Sequence, residues 1–204
     1  MCWRSWNHLR LENASIILRP FSVDDVEQLC EIAFDPNIWE YFIFRLESKV
    51  EVEAFVAQAI SDTETGARAA FCVFDKNTNH IAGSMCYGNF APTDRRLEIG
   101  WSWLGVEYQG TGVNGAAKYL LLSHAFEVLN CERVEFKTDV LNKGARRGLT
   151  KIGAKEEGVL RSYNYMPSGR RRDAVYYSIL NHEWPSAKSL IRENYNLVLE
   201  EGVA

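Results

Sequence analysis

The stretch that decides the fold runs from residue 98 to residue 129. It begins with Glu98-Ile99-Gly100-Trp101-Ser102-Trp103-Leu104, which is typical of a strand, and ends with residues 116–129, whose apolar spacing predicts an amphipathic helix. Between them lies Gln109-Gly110-Thr111-Gly112-Val113-Asn114-Gly115. The first N–H groups of a helix lack internal partners and carry partial positive charge, and glycines let the backbone approach a phosphate closely. These seven loop residues are therefore predicted to form a backbone cradle for a pyrophosphate.

Two kinds of nucleotide compete for this cradle. Residues 110–115 satisfy G-x-G-x-x-G, and Glu135 or Asp139 on the next strand could serve as the ribose-binding acid of a dinucleotide fold. In that fold the first glycine directly follows a buried apolar strand. Here five residues intervene and the strand carries Glu98. The context therefore disfavours a nicotinamide nucleotide.

The same loop also resembles a second family. Gln109-Gly110-Thr111-Gly112-Val113-Asn114 is similar to the Q/R-x-x-G-x-G/A signature of the GNAT acyl-CoA N-acyltransferases, with Asn114 in place of the final Gly or Ala. Other segments resemble the RimJ/RimL-type branch, which acetylates ribosomal-protein N-termini: Leu18-Arg19-Pro20-Phe21, Glu98-Ile99-Gly100-Trp101, Asp139-Val140-Leu141-Asn142, Lys151-Ile152-Gly153-Ala154 and Tyr177-Ser178-Ile179-Leu180. The resemblance covers about residues 14 to 185.

The resemblance implies acetyl-CoA as co-substrate, with its pyrophosphate on the cradle. It also implies that the backbone of Trp103 and Leu104 pairs with the pantetheine arm, since an extended amide can add to a strand edge. Asn142 resembles the family asparagine that binds the pantetheine, but an ordinary helix N-cap explains it as well. Two explanations stay open for the basic residues that follow Asn142: contact with the adenosine phosphate, or a solvated helix face. These residues are Lys143, Arg146 and Arg147.

Glu98 alternates with Ile99 and Trp101, so its side chain is predicted to point away from that apolar pair. It stands eleven positions before Gln109, which resembles the place of the strand glutamate that acts as general base in some GNAT enzymes. A carboxylate near the thioester can accept the proton that an attacking amine loses. Three roles stay open for Glu98: general base, anchor for a cationic acceptor, and solvated surface carboxylate.

The usual donors of a proton to the thiolate are missing. Three residues after Asn142 the branch often has a serine, and seven residues after it other members have a tyrosine. This chain has Ala145 and Leu149. Tyr163, Tyr165 or water would have to replace them. A non-catalytic acyl-CoA-binding protein is therefore the alternative to an enzyme.

The resemblance leaves the acceptor open between a protein N-terminus and a small amine, and a homodimer is open as well. Trp39, Tyr41 and Phe42 would either line an acceptor pocket or belong to the core.

Composition argues against several other classes of protein. A net charge of −4, with no basic run longer than Arg170-Arg171-Arg172, disfavours nucleic-acid binding. That triplet follows Pro167-Ser168-Gly169 and is interpreted as a solvated turn. The N-terminal residues show no apolar signal core and no stretch reaches transmembrane length, so a cytoplasmic protein is expected. Neither a disulfide framework nor a metal site is predicted, because the histidines lack ligand spacing and the cysteines are odd in number and scattered: Cys2, Cys30, Cys72, Cys86 and Cys131.

The order of elements predicts the fold class. Short turns after residues 74 and 90 indicate an antiparallel meander, and a strand–helix–strand unit follows the long helix. With 204 residues, of which 47% are hydrophobic, the chain can bury a large core. We therefore expect a single GNAT-like α+β domain over residues 1–204, with a mixed, mostly antiparallel sheet of about seven strands flanked by helices.

Overall fold

A computed structural model describes residue 3 and residues 6–197. In this part of the chain, one sheet of eight strands is packed with helices. The predicted α+β class is confirmed. The remaining residues of the predicted domain, Cys2 among them, lie outside the described residues.

The strands form one continuous, mostly antiparallel sheet. In chain order they are β1 (Leu11–Glu12), β2 (Ile16–Pro20), β3 (Ala69–Asp75), β4 (His80–Ala91), β5 (Arg96–Leu104), β6 (Arg133–Asp139), β7 (Lys155–Tyr165) and β8 (Arg171–Leu180). Their order in the sheet is β1-β2-β3-β4-β5-β6-β8-β7, and β5 and β6 are the parallel neighbours. The seven predicted strands are all present, and the two-residue β1 is added at the edge.

Five α-helices accompany the sheet within the described residues: α1 (Val26–Ala33), α2 (Lys49–Thr65), α3 (Val113–Ser123), α4 (Lys143–Lys151) and α5 (Trp184–Asn194). The central helix differs from its predicted bounds. It begins at Val113, because Gly112 is its N-cap, and after Ser123 it continues as a π-helical turn, His124–Val128. Within the same part of the chain, no helix combines the length and hydrophobicity that crossing a membrane requires.

Different helices cover the two faces of the sheet. Tyr87 of β4 donates its hydroxyl to the carbonyl of Leu121 in α3. On the other face, the ring of Trp103 lies 6.0 Å from that of Phe55 in α2. Cross-strand partners share a face, and Glu98 pairs with Gly88 while Trp103 pairs with Ser84. Glu98 therefore lies on the α2 face.

Strand β5 is interrupted by a bulge at Trp101. Between the pairs Gly100–Cys86 and Trp103–Ser84, β5 has two residues where β4 has one. Trp101 takes up the extra length with a φ of 49°, in the left-handed region. Its ring lies over Gly88, where a Cβ would come within 2.5 Å of it. The predicted alternation that placed Trp101 on the face of Ile99 is therefore wrong, because the bulge moves it to the face of Glu98.

Candidate active site

A cavity opens where β5 and β6 part. The parallel ladder joins Glu98 to Glu135 and ends there. Beyond it a cavity of about 930 Å³ extends between the strands to the first turns of α3 and α4. It is lined by most of the predicted site residues: Glu98, Trp103, Leu104, Gln109, Gly110, Thr111, Gly112, Asn114 and Asn142. The fold thus brings the strand, the glycine loop and the asparagine around one space.

The start of α3 is built to leave its amides free. Gly112 has a φ of 100° and no side chain of the described residues caps the helix. A Cβ on Gly112 would meet nothing within 4 Å, so the backbone is open toward the cavity. The loop is closed on its other side, where Gln109 Nε2 donates to the carbonyl of Leu104 (3.1 Å) and Thr111 Oγ1 to that of Tyr108 (2.8 Å). This end of α3 fits a phosphate.

Two of the predicted cradle residues do not line the cavity. Val113 is buried in the core. Gly115 packs against Tyr195, whose ring would lie 2.3 Å from a Cβ at that position. Their side-chain positions therefore serve packing, and only their backbone amides can belong to the cradle.

Lys118 is a cavity residue that sequence reasoning missed. It lies one turn after Asn114 on α3, and only 8% of it is exposed. Within the described chain its ammonium has no hydrogen bond or ion pair, and burial lowers its pKa to about 8. An unpaired buried cation fits an anionic ligand. The four-residue spacing from Asn114 was the available signal.

Asn142 is the N-cap of α4 and uses only the oxygen of its side-chain amide for the cap. Its Oδ1 accepts the N–H of Ala145 (2.9 Å), so the predicted N-cap is present. The same side chain lines the cavity, and its Nδ2 donates to none of the described residues. Cap and ligand contact are therefore compatible, since they use different atoms of the amide.

Glu98 is buried, with 3% of its surface exposed, so the interpretation as a solvated carboxylate is wrong. Its Oε2 accepts a hydrogen bond from Asn89 Nδ2 (2.7 Å) and lies 3.6 Å from Lys137 Nζ. Its Oε1 lies 2.9 Å from the point that a Cβ on Gly100 would occupy. One oxygen is thus held in place, and the other lies beside the bulge.

Lys137 is held between Glu98 and two aromatic rings. Its ammonium lies 5.2 Å from the ring centre of Tyr163 and 5.6 Å from that of Tyr176. The Tyr176 hydroxyl donates to that of Tyr163 (3.0 Å), and burial is the main cause that raises the pKa of Tyr176. No sequence motif pointed to Lys137 or to Asn89.

The basic triplet is not a solvated turn, which corrects the sequence interpretation. Arg171 and Arg172 belong to β8, and Arg172 is 8% exposed and lines the cavity. The turn itself occupies residues 167–169. In β8 its backbone pairs with Asn164 of β7.

The positions that lack the usual proton donors do reach the cavity. Ala145 and Leu149 both line it and offer only carbon. Tyr165 is 69% exposed, and the guanidinium carbon of Arg171 lies 4.4 Å from the centre of the Tyr165 ring. Tyr163 instead lies beside Lys137. Of the two predicted substitutes, Tyr163 is the one near Glu98.

The basic residues of α4 differ in whether they face the cavity. Arg146 is committed to the protein, since it donates to Tyr177 Oη (3.1 Å) and pairs with Glu156 (3.0 Å). Arg147 lines the cavity, and Lys143 does not.

The aromatic residues before α2 likewise differ, since one belongs to the core and two line the cavity. Trp39 is a core residue whose Nε1 donates to the carbonyl of Ala33 (2.7 Å), while Tyr41 and Phe42 line the cavity. Across residue 3 and residues 6–197, no group of three or more His, Cys, Asp or Glu is arranged to hold a metal ion.

Comparison with known proteins agrees with this geometry. A family model described as an Acetyltransferase (GNAT) domain matches residues 15–155. A protein of Bacillus subtilis (strain 168) named "Putative ribosomal N-acetyltransferase YdaF" is 29% identical over 182 residues, which are 86% of this chain and 97% of the relative. A Bacillus licheniformis protein named "Uncharacterized N-acetyltransferase p20" is 27% identical over 170 residues, 83% of this chain and 94% of the relative.

A solved structure is similar over nearly the same range. A T. thermophilus protein described as a "putative acetyltransferase" superposes with a TM-score of 0.82 at 31% sequence identity. The match covers 90% of this chain and 95% of that chain.

Proposed function

The chain belongs to the GNAT family of acetyltransferases, and on that premise we propose that it moves an acetyl group from acetyl-CoA to a primary amine by direct attack. One observation carries the proposal. A single cavity joins the uncapped start of α3, which suits a pyrophosphate, to the buried carboxylate of Glu98.

The donor would lie along the separated edge of β5. The amides of residues 113–115 and the ammonium of Lys118 would bind the phosphates, because each lacks a partner among the described residues. The backbone of Trp103 and Leu104 would pair with the pantetheine arm, and Asn142 Nδ2 would donate to one of its carbonyls. Backbone N–H groups near the bulge at Trp101 would polarise the thioester carbonyl.

The amine would approach from the α2 face, where Glu98 lies. Asn89 and Lys137 hold Oε2, so Oε1 is the oxygen that takes a proton from the amine. The nitrogen forms a bond to the acetyl carbon, and the bond from that carbon to sulfur breaks. The amide and the free thiol of CoA are the products.

Loss of the usual proton donors is compatible with turnover. Thiols have an ordinary pKa near 8.5, so a thiolate is a tolerable leaving group close to neutral pH. Ala145 and Leu149 would then leave protonation of the sulfur to water. The same two residues favour the second candidate, an acyl-CoA-binding protein without efficient turnover.

The relative named as a ribosomal N-acetyltransferase makes a protein N-terminus one class of acceptor to test. Small primary amines are the other class. Purified protein should release free thiol from acetyl-CoA with at least one member of a panel of N-terminal peptides and small amines.

A thermal-shift measurement separates the candidates. Ligand bound to the native state stabilises it by RT ln(1 + [L]/Kd), so acetyl-CoA should raise the Tm whereas NAD should not. A higher Tm with acetyl-CoA but no thiol release with any amine would favour the binding protein. Stabilisation by NAD alone would overturn the proposal.

A further inference from the structure

Arg172 is a buried cation that forms no ion pair with a described residue, although the carboxylates of Asp139 and Glu98 lie near enough to act on its charge. It lines the cavity that holds Glu98, and 8% of it is exposed. Within the described chain its guanidinium makes no hydrogen bond or ion pair, and its Nε is fully buried without an acceptor. Burial is the main cause that lowers its pKa. A guanidinium withdrawn from water without a partner is costly to the fold.

The two neighbouring arginines show that this is particular to Arg172. Arg170 pairs with the carboxylate of Asp139, and Arg171 donates to Ser162 Oγ (2.8 Å) while stacking on Tyr165. Each of them is also more exposed than Arg172. In this basic run, therefore, the residue that faces the cavity is the one without a partner.

The sheet register places Arg172 on the α2 face, from which the amine is proposed to approach. Ala174 pairs with Asp139, and Tyr176 pairs with Lys137. Alternate residues of a strand share a face, so Arg172 faces the same side as Lys137. Lys137 Nζ is 3.6 Å from Glu98 Oε2, which puts all three charged groups on one face.

The nearby carboxylates are already occupied. Asp139 pairs with Arg170 and accepts the N–H of Leu141 (2.9 Å). Glu98 accepts from Asn89 and faces Lys137. This end of the cavity therefore has one carboxylate oxygen for an amine and one guanidinium without a hydrogen-bond or ion-pair partner among the described residues.

We propose that Arg172 binds a carboxylate carried by the acceptor, so that the substrate is an amine with a nearby carboxylate. The inference rests on the proposed function. A guanidinium presents two parallel N–H donors that match a carboxylate, while Glu98 receives the amine. The carboxylate would come either from a free amino acid or from an acidic side chain close to the N-terminus of a peptide.

The first test needs no variant. Thiol release by the wild-type protein is measured with amino acids and with their carboxamides, and with peptides that differ in Asp or Asn at the second position. A charge-assisted hydrogen bond stabilises by about 1.5–3 kcal/mol, so kcat/KM should be about 10- to 100-fold higher for the carboxylate member of one pair. The pair that shows the preference identifies the source of the carboxylate.

The second test assigns that preference to Arg172. In Arg172→Gln the ratio of kcat/KM between the carboxylate and carboxamide members should fall to about one through a higher KM for the carboxylate acceptor, while the KM for acetyl-CoA changes little. Arg172→Lys keeps the charge without the paired donors and should retain part of the preference. Arg171→Gln is the matched control, since it removes the same charge from the adjacent, exposed residue.

Equal kcat/KM for the carboxylate and carboxamide members of both pairs would overturn the inference and leave the proposed function in place. A rise in the KM for acetyl-CoA alone in Arg172→Gln would also overturn it, because Arg172 would then face the donor. Absence of thiol release with every amine would remove the proposed function, and the inference with it.

Discussion

The two ends of the cavity, which we propose bind the acetyl donor and the amine acceptor, are built in different ways. The donor end is mostly backbone: a contiguous loop, residues 109–115, presents the amides of an uncapped helix. The acceptor end has charged side chains from three strands, Glu98 of β5, Lys137 of β6 and Arg172 of β8. Asn89 of β4 does not line the cavity but donates to Glu98. This difference means that substitutions should act through backbone conformation at the donor end and through charge and hydrogen bonding at the acceptor end.

The largest expected effect on acetyl-CoA binding is at the donor end, from Gly112→Asp. The new side chain would occupy the open space over the cradle and set a carboxylate against the phosphates, at a φ of 100° that L-residues rarely adopt. Loss of two charge-assisted bonds, about 1.5–3 kcal/mol each, corresponds to about a 10²- to 10⁴-fold weaker Kd for acetyl-CoA. Isothermal titration calorimetry measures this directly.

Gly66→Asp is the matched control for Gly112→Asp. Gly66 caps α2 with a φ of 74° and also has nothing within 4 Å of its Cβ position, but it is not a cavity residue. Both variants place an aspartate at a positive φ, and only Gly112→Asp should lose acetyl-CoA binding. Normal binding by a folded Gly112→Asp protein would remove the cradle from the mechanism.

At the acceptor end, Glu98→Gln should leave acetyl-CoA affinity unchanged. If Glu98 is the general base, the amide keeps the hydrogen-bonding shape but cannot take the proton, and kcat falls by about 10²- to 10⁴-fold. If Glu98 only anchors a cationic acceptor, the loss appears as a higher KM for that acceptor. Steady-state kinetics with varied amine separate the two roles.

Glu64→Gln serves as the control for Glu98→Gln, because Glu64 is exposed on α2, away from the cavity. Its kinetic constants should equal those of the wild-type protein. Unchanged kcat and KM in Glu98→Gln across the active pH range would exclude both roles.

The contrast between the two ends also explains what could be predicted from the sequence. The cradle depends on neighbouring residues and on glycine conformation, so a local pattern contains most of its information. The acceptor end depends on the register of β6 and β8 and on the bulge at Trp101, which no local pattern specifies. The interpretation of Arg172 as part of a solvated turn is wrong for this reason, and no local motif marks Lys137 or Asn89. The strand–helix order was predictable because hydrophobic periodicity and turn residues are local as well.

Lys118 is the charged residue proposed to act through its side chain at the donor end, so Lys118→Met tests whether that end depends on backbone alone. Removal of the ammonium should weaken the Kd for acetyl-CoA by about 10- to 100-fold, as expected for one charge-assisted bond. The apo protein should gain stability at pH 7, because a buried unpaired charge is replaced by a hydrophobic side chain of similar length. Differential scanning calorimetry and calorimetric titration measure the two effects.

The free energy of unfolding should depend on pH in a direction set by the lowered pKa of Lys118. Burial lowers the pKa from its ordinary value of 10.5 to about 8, so between those values the unfolded chain binds more protons than the folded one. The destabilisation is therefore complete below pH 8 and is relieved as the pH rises toward 10.5. The stability gained in Lys118→Met should shrink over that window. A gain that does not depend on pH would mean that Lys118 does not titrate there.

The smallest expected effect is at Asn142, whose side chain caps α4 and is also proposed to bind the ligand. Asn142→Asp keeps the oxygen that caps α4 at Ala145 but replaces the Nδ2 donor. A neutral hydrogen bond stabilises by about 0.5–1.5 kcal/mol, so the KM for acetyl-CoA should rise about 2- to 10-fold while the Tm stays the same. Asn142→Ala should show the same KM and in addition lose about 1 kcal/mol of stability with the cap. If Asn142→Asp instead keeps the wild-type KM, the residue is only a cap, and the donor end binds its ligand without that amide.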